Sequence, residues 1–263
     1  MFKVGFIGAG NMGSALAAAA VKSGADVYVY DKDEKKADAV SAEIGAKALC
    51  GKEIAESCDY VFLAVKPDVI PLAIEEIRDS LKKNPTAVLV SMAAGVSISK
   101  IEGCIDGTPI IRIMPNTPAA VGEGLILRTS NSLVSEEAIR GFDSVLAAAG
   151  KICEIDEKKI DAASAVSGCG PAFVYMFIEA LADGAVECGL PRALAQEFAA
   201  QTVLGAAKTL LETGKHPGEL KDAVCSPGGS TIAGVAALEE GSFRATASSA
   251  VKAAYEKTLK LGK

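Results

Sequence analysis

From residue 2 to about residue 156 the chain alternates short, often β-branched apolar runs with segments of helical periodicity. The runs at 3–7, 27–30, 60–65, 87–91, 110–114, 125–128 and 151–155 read as strands. They show no strict polar alternation, as expected of strands covered on both faces, and the spacing predicts parallel strands joined by crossover helices. After Asp156 the strand pattern stops, and Ala-rich helices are predicted at 171–188, 191–212, 231–239 and 244–261. Pro191 just inside one start, and Gly189 and Gly214 just past two ends, follow the usual asymmetry of helix boundaries. The expected fold is α/β, a doubly wound parallel sheet over residues 1–156 followed by an all-helical domain over 157–263.

The helix predicted at 171–188 carries Glu179, Asp183 and Glu187 on one stripe and is apolar over most of its circumference. Such a helix must be buried nearly all round. A helical domain of roughly a hundred residues has little interior to offer it. The expected cover is a second subunit, in a homodimer or higher homo-oligomer.

The first strand ends in Gly8-Ala9-Gly10-Asn11-Met12-Gly13 and runs into the small-residue stretch Ser14-Ala15-Leu16-Ala17. Gly8 permits a tight turn, Gly10 lets a pyrophosphate approach the backbone, and Gly13 lets the helix pack close on the strand, its first N–H groups aimed at the phosphates. This is the pattern of a Rossmann dinucleotide-binding half, and the expected cofactor is NADPH or NADH. Asp31 at the end of the second strand suits a hydrogen bond to an adenosine ribose and leans toward NAD. Lys32, Lys35 and Lys36 follow at once and suit a ribose 2′-phosphate, which leaves that choice open.

Composition removes other classes of chemistry. With 27 basic against 33 acidic residues the net charge is −6, and the charges are dispersed, so no nucleic-acid or anionic-membrane surface is expected. Seven cysteines without a CxxC spacing and the single histidine, His216, leave neither a disulfide framework nor a zinc site, so no metal is expected. The chain begins directly on a strand with no leader pattern. No apolar stretch reads as a membrane span, because the nearest, 172–178, is short and is followed by Glu179 and Asp183. A reducing, cytoplasmic setting is expected.

His216, in a His-Pro loop, is the one histidine available for acid or base work. Lys66-Pro67 closes the third strand, where strand ends face the ligand crevice of a doubly wound sheet. In the helical half, Ser226-Pro227-Gly228-Gly229-Ser230-Thr231-Ile232 has proline and glycine at the two central positions of a type II turn and leads straight into an apolar helix. The unpaired N–H groups at that helix start would suit a substrate carboxylate, or simply end a proline-glycine turn. Ser167-Gly168-Cys169-Gly170-Pro171 introduces the apolar helix, and Cys169, without an activating neighbour in sequence, reads as an inert thiol.

Taken together these segments resemble the pyrroline-5-carboxylate reductase family from end to end. The resemblance runs through Phe6-Ile7-Gly8-Ala9-Gly10-Asn11-Met12-Gly13, Ala64-Val65-Lys66-Pro67, Ala93-Ala94-Gly95-Val96 and Arg112-Ile113-Met114-Pro115-Asn116-Thr117-Pro118. It continues through Ser167-Gly168-Cys169-Gly170-Pro171, Gly189-Leu190-Pro191-Arg192 and His216-Pro217-Gly218-Glu219 into the SPGGST turn. It implies hydride delivery from reduced nicotinamide C4 to C5 of 1-pyrroline-5-carboxylate, giving L-proline, in a pocket at a dimer interface of interlocked helical domains. It implies a cofactor held by Gly8, Ala9, Gly10, Asn11, Met12, Gly13, Asp31, Lys32, Ala64, Val65, Lys66, Pro67, Ala93, Ala94, Gly95 and Asn116. It also implies a substrate carboxylate held by Ser226, Gly228, Gly229, Ser230 and Thr231, with the Thr231 hydroxyl facing the imine nitrogen as the catalytic group. Many members have serine at the place of Cys169 and asparagine at that of Gly51. These departures bear on a pocket hydroxyl and on the adenosine end of the cofactor. Two rivals fit less well. A β-hydroxyacid dehydrogenase or related imine reductase would place a lysine on the helix at 171–188, which has none. A dinucleotide-sensing protein would bind cofactor without turnover.

Overall fold

The computed structural model describes residues 1–261. Its strands are β1 (Lys3–Ile7), β2 (Asp26–Tyr30), β3 (Lys47–Ala48), β4 (Tyr60–Leu63), β5 (Val88–Ser91), β6 (Ile110–Met114), β7 (Gly124–Ser130) and β8 (Gly150–Glu154). They form one sheet in the order β3-β2-β1-β4-β5-β6-β7-β8. The helices between them are α1 (Asn11–Lys22), α2 (Glu34–Ile44), α3 (Gly51–Ser57), α4 (Ile70–Lys83), α5 (Ile98–Glu102) and α6 (Glu136–Val145), and α7 (Glu157–Ser167) follows β8. Chain order reverses on either side of β1, the switch point where such sheets open a ligand crevice.

The continuous apolar runs have a simple cause: alternate residues of each strand feed two cores. Val4 and Phe6, Tyr60 and Phe62, Val88 and Val90, and Ile111 and Ile113 join Leu16, Ala17 and Ala20 of α1 on one face. Ile7, Val61, Leu63, Leu89 and Ile110 join Ile54 of α3 and Ile74 and Ile77 of α4 on the other. Phe6 and Phe62 stack at 4.4 Å between centroids, with Phe142 of α6 stacked on Phe62 at 6.1 Å.

The all-parallel expectation holds from β3 to β6 and fails beyond. β7 pairs antiparallel with β6, Ile113 opposite Arg128, and β8 runs parallel to β7. The link between β6 and β7 holds only a short 3-10 turn, Thr117–Val121, and a parallel crossover needs about a dozen residues or more. α7 is fastened to this end of the sheet. Ile160 packs against Met114 and Leu127, and the buried Arg112 of β6 reaches Glu157 at 3.0 Å and Asp161 at 3.2 Å.

Contacts group residues 1–169, with residues 254–261, as one compact unit and Gly170–Ala253 as a second. The second unit is built on α8 (Gly170–Glu187), α9 (Arg192–Thr213), α10 (Pro217–Val224), α11 (Ser230–Glu240) and the start of α12 (Phe243–Leu261). α8 meets α9 through Ala182, Ala195 and Ala199, small residues that let two helix backbones come close. Within one chain the requirement that α8 be buried nearly all round is not met. Of its residues only Ala182 is buried, while Tyr175 and Met176 are 60% and 70% exposed, and Phe198 of α9 is 51% exposed. Apolar surface of this extent needs a protein or lipid cover.

Two readings of this half change. His216-Pro217 begins a helix rather than a loop: His216 caps α10, its Nδ1 accepting from the Gly218 N–H at 3.1 Å. Pro217 at the first helical position and Glu219 in the first turn are start signals, but the helix is too short for periodicity to reveal it. Residues 157–187, α7 and α8 together, are by length and composition alone apolar enough to cross a membrane.

Burial pushes the Tyr60 phenol, whose hydroxyl donates to the Ala138 carbonyl at 2.7 Å, up to about 12, and raises the Cys58 thiol to about 12. Both groups hold their proton more tightly folded than unfolded. Their contribution is complete below the unfolded values, about 8.5 for a thiol and about 10 for a phenol, and is lost as pH climbs through the folded ones. Urea midpoints should therefore fall from about pH 9 to about pH 12. Tyr60→Phe should lower stability by about 1 kcal/mol at neutral pH and flatten that alkaline fall. A wild-type midpoint independent of pH over this range would contradict the assignment.

Candidate functional site

The first cradle is built at the end of β1. Gly8 takes φ +113° and donates its N–H to the Tyr30 carbonyl at 2.7 Å, stitching the loop to β2. A Cβ at Gly8 would lie 2.4 Å from the Ala64 carbonyl oxygen, and one at Gly13 would lie 2.5 Å from that of Gly8. Gly10, in contrast, faces open space, with nothing within 4 Å of where its Cβ would stand. Two glycines are thus demanded by the protein's own packing, and the third by whatever occupies the space above it. Gly10 caps α1 with no side-chain hydrogen bond, and the first intrahelical bond is from Ser14 N–H to Gly10 O at 2.8 Å. The N–H groups of Asn11, Met12 and Gly13 therefore have no acceptor within the helix and meet the positive end of its dipole.

Above this turn lies a cleft of about 290 Å³ lined by Gly8, Gly10, Asp31, Lys32, Ala64, Val65 and Lys66. Donors without acceptors, a glycine opening on space and three lysines, Lys36 being the third, fit a dinucleotide pyrophosphate. Asp31 is part of the frame as well as the lining. Its Oδ2 accepts from Ala9 N–H at 2.8 Å and its Oδ1 from Asp33 N–H at 3.1 Å. Pro67 opens a 3-10 turn after Lys66 at the mouth of β4.

Other expected cofactor residues lie outside this cleft. Ala93, Ala94 and Gly95 follow β5, where Ala93 is buried and Gly95 turns the chain at φ +73°. Asn116 is buried with its amide committed: Oδ1 accepts from Leu125 N–H and Nδ2 donates to the Ser167 carbonyl, both at 2.9 Å. It staples the end of β6 to β7 and to the end of α7. The cleft also takes in Tyr30, Val69, Leu72, Ala73 and Glu76, which the motifs missed. Val69, Leu72, Ala73 and Glu76 recur at helical spacing along one edge of α4 and its approach, a periodicity that marks a face but not what the face lines. At Gly51 a Cβ would meet Tyr30 and Ile77 at 3.5 to 3.6 Å, an ordinary contact, so packing does not demand glycine there.

The second cradle is in the helical unit. Gly229 N–H donates to the Ser226 carbonyl at 3.0 Å and Gly228 stands at φ +70°, the type II turn expected from Pro227-Gly228. Gly229 then caps α11 without a side-chain bond, and the first intrahelical bond is from Ala233 N–H to Gly229 O at 3.4 Å. Ser230, Thr231 and Ile232 carry N–H groups with no acceptor in the helix, a built anion site beside the exposed Thr231. Cys169 is a free, half-buried thiol. Among the described residues no cluster of histidine, cysteine and carboxylate side chains could hold a metal ion.

Comparison with known proteins finds the same two halves. Residues 157–261 match the family described as pyrroline-5-carboxylate reductase dimerisation, and residues 3–95 match NADP oxidoreductase coenzyme F420-dependent. The pyrroline-5-carboxylate reductase of Arabidopsis thaliana is 44% identical over 99% of this chain and 95% of its own length. Among solved structures, a pyrroline-5-carboxylate reductase from Coxiella burnetii superposes with a TM-score of 0.91 at 32% identity, covering 100% of this chain and 99% of that one. The Plasmodium falciparum pyrroline carboxylate reductase with NADP bound does so with a TM-score of 0.86 at 35% identity, covering 100% of this chain and 98% of that one. The matches run over both halves of the chain, and the chain belongs to the pyrroline-5-carboxylate reductase family.

Proposed function

We infer that this chain is an NAD(P)H-dependent oxidoreductase that reduces the cyclic imine 1-pyrroline-5-carboxylate to L-proline. The observation that carries the reading is full-length family membership that takes in both glycine-capped helix starts. Asn11, Met12 and Gly13 hold the cofactor's pyrophosphate through their N–H groups, aided by Lys32 and Lys66, and Asp31 takes the adenosine ribose. Ala64, Val65 and Pro67 border the same cofactor, and Ala93, Ala94 and Gly95 shape its nicotinamide end, with Asn116 as a positioning residue for the chain around them. A bound reduced nicotinamide supplies hydride for the imine carbon.

The rest falls to the helical unit. Ser230 and Thr231 hold the substrate carboxylate through backbone N–H groups on the turn set by Ser226, Gly228 and Gly229, whose own N–H is taken by the Ser226 carbonyl. The Thr231 hydroxyl accepts from the protonated imine nitrogen. A protonated imine is already electrophilic, so orientation can supply much of the acceleration without a histidine acid or base. The exposed apolar faces of α8 and α9 are the dimerisation surface of a homodimer or higher homo-oligomer. Seven free cysteines suit a reducing cytoplasm.

Purified protein should oxidise NADH or NADPH steadily on addition of the imine, and no turnover with either would refute the reading. Thr231→Ala should lower kcat/KM by about 1.5 to 3 kcal/mol, roughly tenfold to 150-fold, with dinucleotide affinity unchanged. Wild-type kinetics in that variant would remove Thr231 from the chemistry. Sedimentation at micromolar concentration should give a dimer or larger, and a monomer would contradict the assignment of the apolar faces.

A further inference from the structure

Asp31 stands between two cavities of unlike charge. The cleft over the glycine turn carries Lys32, Lys36 and Lys66. On its other side a second cavity of about 290 Å³, bounded by β2, α2, β3 and the start of α3, is lined by Glu34, Asp38 and Glu53 and by no lysine or arginine. The carboxylate is fixed between them, since each oxygen accepts a backbone N–H, Oδ2 from Ala9 and Oδ1 from Asp33. A carboxylate offers about four acceptor positions, so two remain for hydroxyl donors.

We propose that Asp31, pinned at the tip of β2 and backed by an acidic cavity, makes this chain select NADH over NADPH. The proposal rests on the reductase reading and adds the identity of the cofactor. A ribose 2′-hydroxyl donates to the fixed carboxylate, whereas a 2′-phosphate, an acceptor carrying charge of the same sign, meets a group that cannot swing away. The lysines do not reverse this. Lys32 and Lys36 are exposed in the glycine-turn cleft, and Lys35 lines neither cavity. Exposed lysine charges are also screened by salt, while Asp31 is partly buried.

The test measures calorimetric affinity for NADH and for NADPH without substrate, and kcat/KM for each with the imine. Wild type should favour NADH by about tenfold or more in both, because a 2′-phosphate brings like charge against Asp31 and also forgoes the hydroxyl's hydrogen bond. Asp31→Ser should shift the ratio about tenfold or more toward NADPH by tightening NADPH binding. Asp31→Asn, which keeps an acceptor for the Ala9 N–H, should shift it in the same direction and guards against a folding defect in the serine variant. Equal or tighter binding of NADPH by wild type, or ratios unmoved in both variants, overturns the proposal. Tighter binding of NADH with no turnover of the imine would support the selection while refuting the reductase reading, so the two fail separately.

Discussion

Both candidate anion sites in this molecule consist of backbone N–H groups that the fold leaves unpaired at two helix starts. Each helix begins at a glycine that supplies no capping side chain, Gly10 before α1 and Gly229 before α11, so the first-turn donors stay free. Donors of this kind do not titrate near neutral pH, and packing, not rotamer choice, sets their positions. Gly8 and Gly13 fix the first turn through contacts no side chain would tolerate, and the Gly229 N–H bond to Ser226 fixes the second.

Such a site needs a rigid frame. The two-faced core supplies it for α1, whose Leu16, Ala17 and Ala20 lie on the same face as the stacked Phe6 and Phe62. α11 has no comparable support within one chain, as none of its residues is buried. The helical unit is held by a small alanine contact between α8 and α9 and exposes most of its large apolar side chains. That exposure accords with the match of residues 157–261 to a dimerisation family.

How far the sequence revealed this follows from the range of the interactions involved. Strands buried on both faces announce themselves as unbroken apolar runs, and glycine turns announce helix starts, so the sheet and both cradles were legible. The reversal at β7 was not, because strand direction depends on how a nine-residue link folds in space. β3 spans two exposed residues and left no apolar signal, and α10 is too short to show a period. The sequence did not show that the Asn116 amide ties Leu125 to Ser167, one bond from each end. Nor could the sequence show that Asp31 is locked by Ala9 and Asp33, which turns a suggestive acid into a fixed one.

The central claim is that each cradle holds an anion on backbone N–H groups at its helix start. The direct measurement is a crystal structure of the assembled protein with an oxidised dinucleotide and proline. The account predicts the pyrophosphate on the N–H groups of Asn11 to Gly13 and the proline carboxylate on those of Ser230 to Ile232. Either anion bound away from these N–H groups would contradict it.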